Sequence, residues 1–196
     1  MENLLLPQLR ELYLHRNQIT SIEGLENCPL LTTLWLNENK ISHLGQNLYN
    51  VPLLQVLWLQ KNYISNLDGL ENSSQLSSLS IAGNPIAGYD QILKLKNLMN
   101  LKELSLTDIH FPNTSSSSSS SSFLTDEGCK NFIHCHLPHI HILDGIYISA
   151  ETKEKSVMNL NSAVDSYHSN LDALENEYQK KIQRLMKDTQ VLYTYS

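Results

Sequence analysis

Leu31-Thr32-Thr33-Leu34-Trp35-Leu36-Asn37-Glu38-Asn39 decides the fold, because its spacing, L-x-x-L-x-L-x-x-N, returns along the chain at a nearly fixed interval. It occurs 22 residues earlier as Leu9, Leu12, Leu14 and Asn17. After a further 23 residues it returns as Leu54, Leu57, Leu59 and Asn62, and after another 22 as Leu76, Leu79, Ile81 and Asn84. A fifth copy, Leu101, Leu104 and Leu106, carries Ile109 in place of the asparagine.

Each copy continues into apolar residues at helical or 3-10 spacing: Ile19, Ile22, Leu25; then Ile41, Leu44, Leu48; then Ile64, Leu67, Leu70. Pro7, Pro29 and Pro52 precede three of the copies. One strand plus one returning segment cannot bury its own apolar side, so the units must stack into a continuous core. An asparagine recurring where the chain leaves each strand fits that stack, since a buried carboxamide satisfies main-chain groups at a turn.

If the strand leucines point inward, strand alternation turns the residues between them outward. The central outward row reads Tyr13, Trp35, Trp58, Ser80, Ser105, and it holds both tryptophans of the chain. Strands about 4.8 Å apart would align the three rings into one aromatic ladder. Glu11, Thr33, Val56, Ser78 and Glu103 flank it on one side and His15, Asn37, Gln60, Ala82 and Thr107 on the other. Arg16, Glu38, Lys61, Gly83 and Asp108 lie beyond. Rigid aromatics with a mixed polar border are the composition of a protein interface. The expected partner-binding residues are therefore Tyr13, Trp35, Trp58, His15, Asn37, Gln60, Glu11, Arg16, Glu38 and Lys61.

The repeated motif resembles the leucine-rich-repeat family, and its 22-residue, I-x-x-I-x-x-L form is similar to the branch that includes sds22, a regulator of protein phosphatase 1. Leu137-Pro138-His139-Ile140-His141-Ile142-Leu143-Asp144-Gly145 resembles the cap that closes many such solenoids. The resemblance covers about residues 1–149 and implies an α/β solenoid, with a parallel sheet on its concave face and helical or 3-10 segments on its convex side. The expected layout is five repeats over 1–112 without an N-terminal cap, a flexible polyserine loop over 113–122, a C-terminal cap over 123–149, and an amphipathic helix over 150–196. The missing front cap points to a longer protein or to a partner over the first repeat.

From Ser149, an N-cap with Glu151 and Glu154 in the turns that follow, glycine and proline vanish. Val157, Leu160, Val164, Tyr167, Leu171, Leu174, Tyr178 and Leu185 fall at alternating spacings of three and four, or in phase with them, as a heptad stripe does. Such a stripe calls for a cover: a second helix from a partner or another copy, or, as the alternative, the repeats themselves if the helix folds back on them. Repeats that run through this cap into a coiled coil resemble ciliary and flagellar proteins of the family of leucine-rich repeat-containing protein nine. The phrases that carry this are Leu101-Lys102-Glu103-Leu104-Ser105-Leu106-Thr107-Asp108, His136-Leu137-Pro138 and Leu143-Asp144 before Ile148-Ser149-Ala150. The resemblance implies a cytoplasmic place in an axoneme.

Fourteen lysines and arginines against twenty aspartates and glutamates leave a net charge of −6, with no basic run to track phosphates, so no nucleic acid is expected. Leu4 to Leu6 is too short for a signal core or a bilayer span, so a soluble intracellular chain without a membrane partner is expected. Three cysteines, Cys28, Cys129 and Cys135, suit a reducing compartment.

His134, Cys135, His136, His139 and His141 are the one cluster with ligating chemistry; alternating histidines on one side of a strand can hold zinc. Pro138 interrupts it and no Cys-x-x-Cys or His-Glu-x-x-His accompanies it, so the expected reading is a histidine-rich cap surface with no metal and no cofactor. Without a phosphate loop or nucleophile turn, the sequence predicts an interaction protein and not an enzyme.

Overall fold

The computed structural model describes residues 6–107 and 126–194, with the side chains of the final helix as far as residue 182. Asp108, Ile109, the polyserine stretch and the Leu185 side chain lie outside the described residues.

Among the described residues, seven strands form one sheet in chain order: β1 Glu11–Tyr13, β2 Thr33–Trp35, β3 Val56–Trp58, β4 Ser78–Ser80, β5 Glu103–Ser105, β6 Ile142–Leu143 and β7 Ile146–Tyr147. The first six run parallel and the register pairs equivalent repeat positions, Leu12 with Leu34, Leu34 with Leu57, Leu57 with Leu79 and Leu79 with Leu104. The middle residue of each strand faces the core, where Leu34, Leu57, Leu79 and Leu104 are fully buried. Ile22, Leu25, Ile41, Leu44, Ile64, Leu67 and Leu70 close that core from the returning segments.

The returning segments are less helical than their apolar spacing predicts. The second contains a 3-10 turn, Asn47–Asn50, and the fourth holds α1, Tyr89–Leu93, followed by a 3-10 turn, Lys94–Asn97. The first buries Ile22 and Leu25, with Ile19 partly covered, and the third buries Ile64, Leu67 and Leu70, from turns and bends alone. An arc this short points its apolar residues inward without completing hydrogen-bonded turns, because the stack supplies the burial.

Asparagines tie the units together. Asn62 donates through Nδ2 to the carbonyls of Leu36 (3.0 Å) and Leu59 (2.9 Å), while its Oδ1 accepts from the Ile41 amide (3.0 Å). Asn39 and Asn84 repeat this pattern one unit before and one after. Each carboxamide bridges its own strand exit to the preceding repeat. Asn17, in the first repeat, is exposed, and its bonds among the described residues are to Leu14 and His15 of its own turn.

The sheet ends in a hairpin. Asp144 (φ 51°) and Gly145 (φ 74°) are both left-handed, as a two-residue turn of the I′ kind requires, and β7 returns antiparallel to β6. Elsewhere the residue after a strand donates its amide to the next strand, as Leu36 does to Trp58 and Ile81 to Ser105. At the end of β5 the Asp144 carboxylate takes over: Oδ1 accepts from the amides of Leu106 (2.7 Å) and Thr107 (2.8 Å).

Before the cap, α2 spans Glu127–His136, with the Asp126 carboxylate accepting from the Gly128 amide at its start. After it, α3 spans Ala150–Thr194. The Ser149 hydroxyl accepts from the Thr152 amide (3.1 Å), the N-cap that the sequence predicts. The chain forms two compact units, Met1–Ser156 and Val157–Ser196. No described helix is long and apolar enough to cross a membrane.

Candidate functional site

The outward row of the sheet brings the three aromatic side chains together. Tyr13, Trp35 and Trp58 occupy paired positions on β1, β2 and β3. The Trp35 and Trp58 rings are stacked, with centroids 4.2 Å apart and planes inclined by 8°. Tyr13 meets Trp35 edge to face at 4.6 Å and 76°, and His15 lies 6.3 Å from Trp35. These are attractive geometries for quadrupolar rings. The Tyr13 hydroxyl donates to the Glu11 carboxylate, and that bond holds the phenol above its ordinary pKa.

Exposure falls along the row. Tyr13 is 48% exposed, whereas Ser80 and Ser105, which alternation places on the open face, are only 4% and 8% exposed. Gln60, expected to border a partner surface, is 9% exposed, and Ala82 is fully buried. This corrects the sequence reading. An outward side chain in the middle of the sheet has a neighbouring strand on both sides, and a small one sinks between larger neighbours. The drop in size from Trp58 to Ser80 is the signal that could have revealed it.

The same region holds unpartnered polar atoms. Among the described residues, seven buried side-chain nitrogen or oxygen atoms lack a hydrogen-bond partner, and four of them, Trp35 Nε1, Asn37 Oδ1, Gln60 Oε1 and Ser80 Oγ, belong to this face. The remaining border is charged. Arg16 Nε pairs with Glu38 Oε2 at 3.1 Å. Arg16, Glu38 and Lys61 share a left-handed backbone at φ 54–58°, and Gly83 takes the equivalent place at φ 67°.

A profile described as Leucine Rich repeats (2 copies) matches residues 7–50. A chain of the Drosophila melanogaster SNF/U2A′ complex superimposes with a TM-score of 0.58, covering 76% of this chain and 79% of that one at 21% identity. The chain has the leucine-rich-repeat solenoid fold. Two Listeria monocytogenes internalins also match: internalin F at 31% identity (TM-score 0.48, 52% of this chain, 29% of that one) and internalin C2 at 29% (TM-score 0.45, 56% and 49%). The chain thus spans less than a third of internalin F. No curated protein matches by sequence. Leucine-rich-repeat solenoids generally present extended binding surfaces to other proteins.

The histidines of the leucine-rich-repeat cap are dispersed in a way the sequence reading did not foresee. His134 and His136 lie on α2, and His139 and His141 on the segment leading to β6. No one strand carries them. His134 Nδ1 meets Ser156 Oγ at 2.8 Å, His136 stacks on Phe132 at 4.1 Å, and His141 Nδ1 meets the His139 carbonyl at 2.6 Å. His139 is buried, so the cap is not simply a histidine surface. Among the described residues no group of three or more histidine, cysteine or acidic side chains could hold a metal ion. Burial pushes the Cys129 thiol up to about 11, with Asp126 adding to the effect, so it stays protonated and is a poor nucleophile at neutral pH.

On α3 the stripe residues Val157, Val164, Tyr167, Leu171, Leu174 and Tyr178 are exposed and Leu160 is half-buried. Leu171, Leu174 and Tyr178 line one shallow surface with His168 and Glu175.

Proposed function

We propose that this chain is a non-enzymatic interaction scaffold that holds one protein on the concave, aromatic face of its repeats and another helix along the stripe of α3. The observation that carries the first half is the continuous surface of Tyr13, Trp35 and Trp58 on outward positions of three adjacent strands. No core explains large rings there, and aromatics with few rotamers make strong interface anchors. For the second half, a heptad stripe of exposed valine, leucine and tyrosine has the pattern that another helix covers. The resemblance of cap plus coiled coil to ciliary and flagellar proteins supports a cytoplasmic site in an axoneme. The 22-residue repeat type favours a second reading, in which the same face holds a phosphatase catalytic subunit as sds22-like regulators do.

Affinity capture with the wild-type chain and with Trp35→Ala/Trp58→Ala tests both readings. Axonemal proteins that the double variant loses support the first, and a phosphatase catalytic subunit supports the second. A variant that keeps every partner removes the concave face from consideration.

A further inference from the structure

Charge along α3 falls into two blocks. Residues 161–178 carry Asp165, Asp172, Glu175 and Glu177 and no lysine or arginine, whereas residues 179–187 carry Lys180, Lys181, Arg184 and Lys187 and no acid. The two blocks cancel, and each is the complement of the other when the helix is read backwards. On the heptad of the apolar stripe, Glu175 and Glu177 flank the seam on its two sides, and Lys181 stands on the seam itself, three residues past Tyr178. Glu175 borders the same shallow surface as Leu171, Leu174 and Tyr178, and Lys181 is exposed.

That pattern selects among covers for the stripe. A second copy lying parallel and in register sets acidic block beside acidic block. It also places Lys181 against its own counterpart on the seam, where two ammonium groups lose water with no opposite charge between them. A second copy lying antiparallel, about a two-fold axis near Tyr178, sets residues 165–177 along residues 180–187 of its partner, and the symmetry makes every such contact twice. Lys181 then meets the Glu175 and Glu177 region and the Tyr178 ring of the other helix, a carboxylate and an aromatic face that both favour a cation. A different chain would need this same reversed order of charge along its own heptads, whereas a second copy carries it already.

We infer that the cover of the α3 stripe is the same helix of a second copy, running antiparallel, with the acidic block of each along the basic block of the other. The inference rests on the α3 half of the reading above and adds the identity and direction of the covering helix.

Sedimentation of the full chain should show a monomer–dimer equilibrium that weakens as salt rises, since opposite charges are screened; a parallel pair, holding like charges together, would tighten instead. A nitroxide carried on a keto amino acid in place of Ser162, on the side of the helix away from the stripe, reads direction without touching the native cysteines. Pulsed electron resonance should place the two labels about 45–50 Å apart in the antiparallel dimer, from a rise of about 1.5 Å per residue on each side of the crossing, and about 10–20 Å apart in a parallel one. Asp165→Lys/Asp172→Lys/Glu175→Lys/Glu177→Lys and Lys180→Glu/Lys181→Glu/Arg184→Glu/Lys187→Glu should each weaken self-association on the order of tenfold or more. An equimolar mixture of the two should restore it, which misfolded variants would not do. Short label distances, or a dimer indifferent to both charge reversals, overturn the antiparallel copy and leave a helix on the stripe. A dimer that survives Leu171→Asp/Leu174→Asp forms elsewhere and overturns both statements. A chain that stays monomeric overturns the second copy, and the same double variant then decides the reading beneath it: a captured coiled-coil protein that the variant loses keeps it, and retention of every captured protein removes it.

Discussion

Trp35 and Trp58 stack with their ring centroids 4.2 Å apart, although 23 residues separate them in the chain. The pair exists only because the repeat places both at the same register on neighbouring strands. In a double-mutant cycle with Trp35→Ala and Trp58→Ala, the coupling is expected at about 0.5–1.5 kcal/mol, the usual worth of an aromatic pair beyond its buried area. Urea unfolding followed by far-ultraviolet circular dichroism measures it; additive losses would mean that the rings do not stack in solution.

Asn62 and Asn17 occupy the same motif position but do different work. Asn62→Ala strands the Ile41 amide inside the protein and takes one of two donors from each of the Leu36 and Leu59 carbonyls, which keep Asn39 and Asn84, and is expected to cost about 1–3 kcal/mol. Asn17→Ala, at an exposed turn and with the Leu14 carbonyl still held by Asn39, is expected to cost no more than about 0.5 kcal/mol. Equal losses in denaturant midpoint would contradict the bridging role.

The Asp144 carboxylate ends the sheet's hydrogen bonding by accepting from Leu106 and Thr107. Asp144→Ala removes that acceptor and places a poor left-handed residue at φ 51°; about 2–4 kcal/mol should be lost. Asp144→Asn keeps a carbonyl oxygen and tolerates the backbone, so most of the stability should remain. If asparagine proves as damaging as alanine in thermal melts, the carboxylate acts in some other way.

Gly69 and Gly45 make a second contrast. A methyl group on Gly69 would lie 1.9 Å from the Gly45 carbonyl oxygen, while one on Gly45 meets nothing within 4 Å. Gly69→Ala should therefore force the backbone apart and cost several times the loss from Gly45→Ala, which pays only the left-handed penalty of about 1 kcal/mol. Comparable midpoints for the two variants would refute the close approach.

Burial lowers the pKa of His139, with Lys102 adding to the effect, and burial also lowers that of His134. Both are favoured neutral in the folded chain. Above about pH 6.5 they are neutral folded or unfolded and stability should be flat with respect to them. As pH falls below that value the unfolded chain takes up the protons first, and stability should drop until the folded-state pKa values are passed. His139→Gln should shallow that decline in urea midpoints measured between neutral and mildly acidic pH; an unchanged slope would exclude His139 as a contributor.

The strands and their register were legible because the repeat multiplies a weak local signal: Leu12, Leu34, Leu57 and Leu79 each say little alone, but at equal offsets they specify pairing. Tyr13, Trp35 and Trp58 could be aligned for the same reason. Burial on the open face was not legible, since strand alternation tells which way Gln60 and Ser80 point and not how deep their neighbours leave them. The substitution of the Asp144 carboxylate for a main-chain carbonyl just past β6 was hidden too, although Asp-Gly between apolar pairs is a hairpin signature that the cap resemblance obscured. The apolar periodicity of the first and third returns overstated helix, because inward-facing residues in a tight arc share that spacing.

The reversal at Asp144 and Gly145 also governs how such a protein can change size. A further unit docking past β7 would face a strand of opposite polarity and the wrong hydrogen-bond pattern, so the array has a defined stop. Lengthening or shortening must happen by gaining or losing whole units upstream, between strands that already run the same way. A duplicated copy of residues 31–53 is expected to be tolerated there on this logic, whereas the same copy placed after Tyr147 would meet β7 running the wrong way for its parallel pairing.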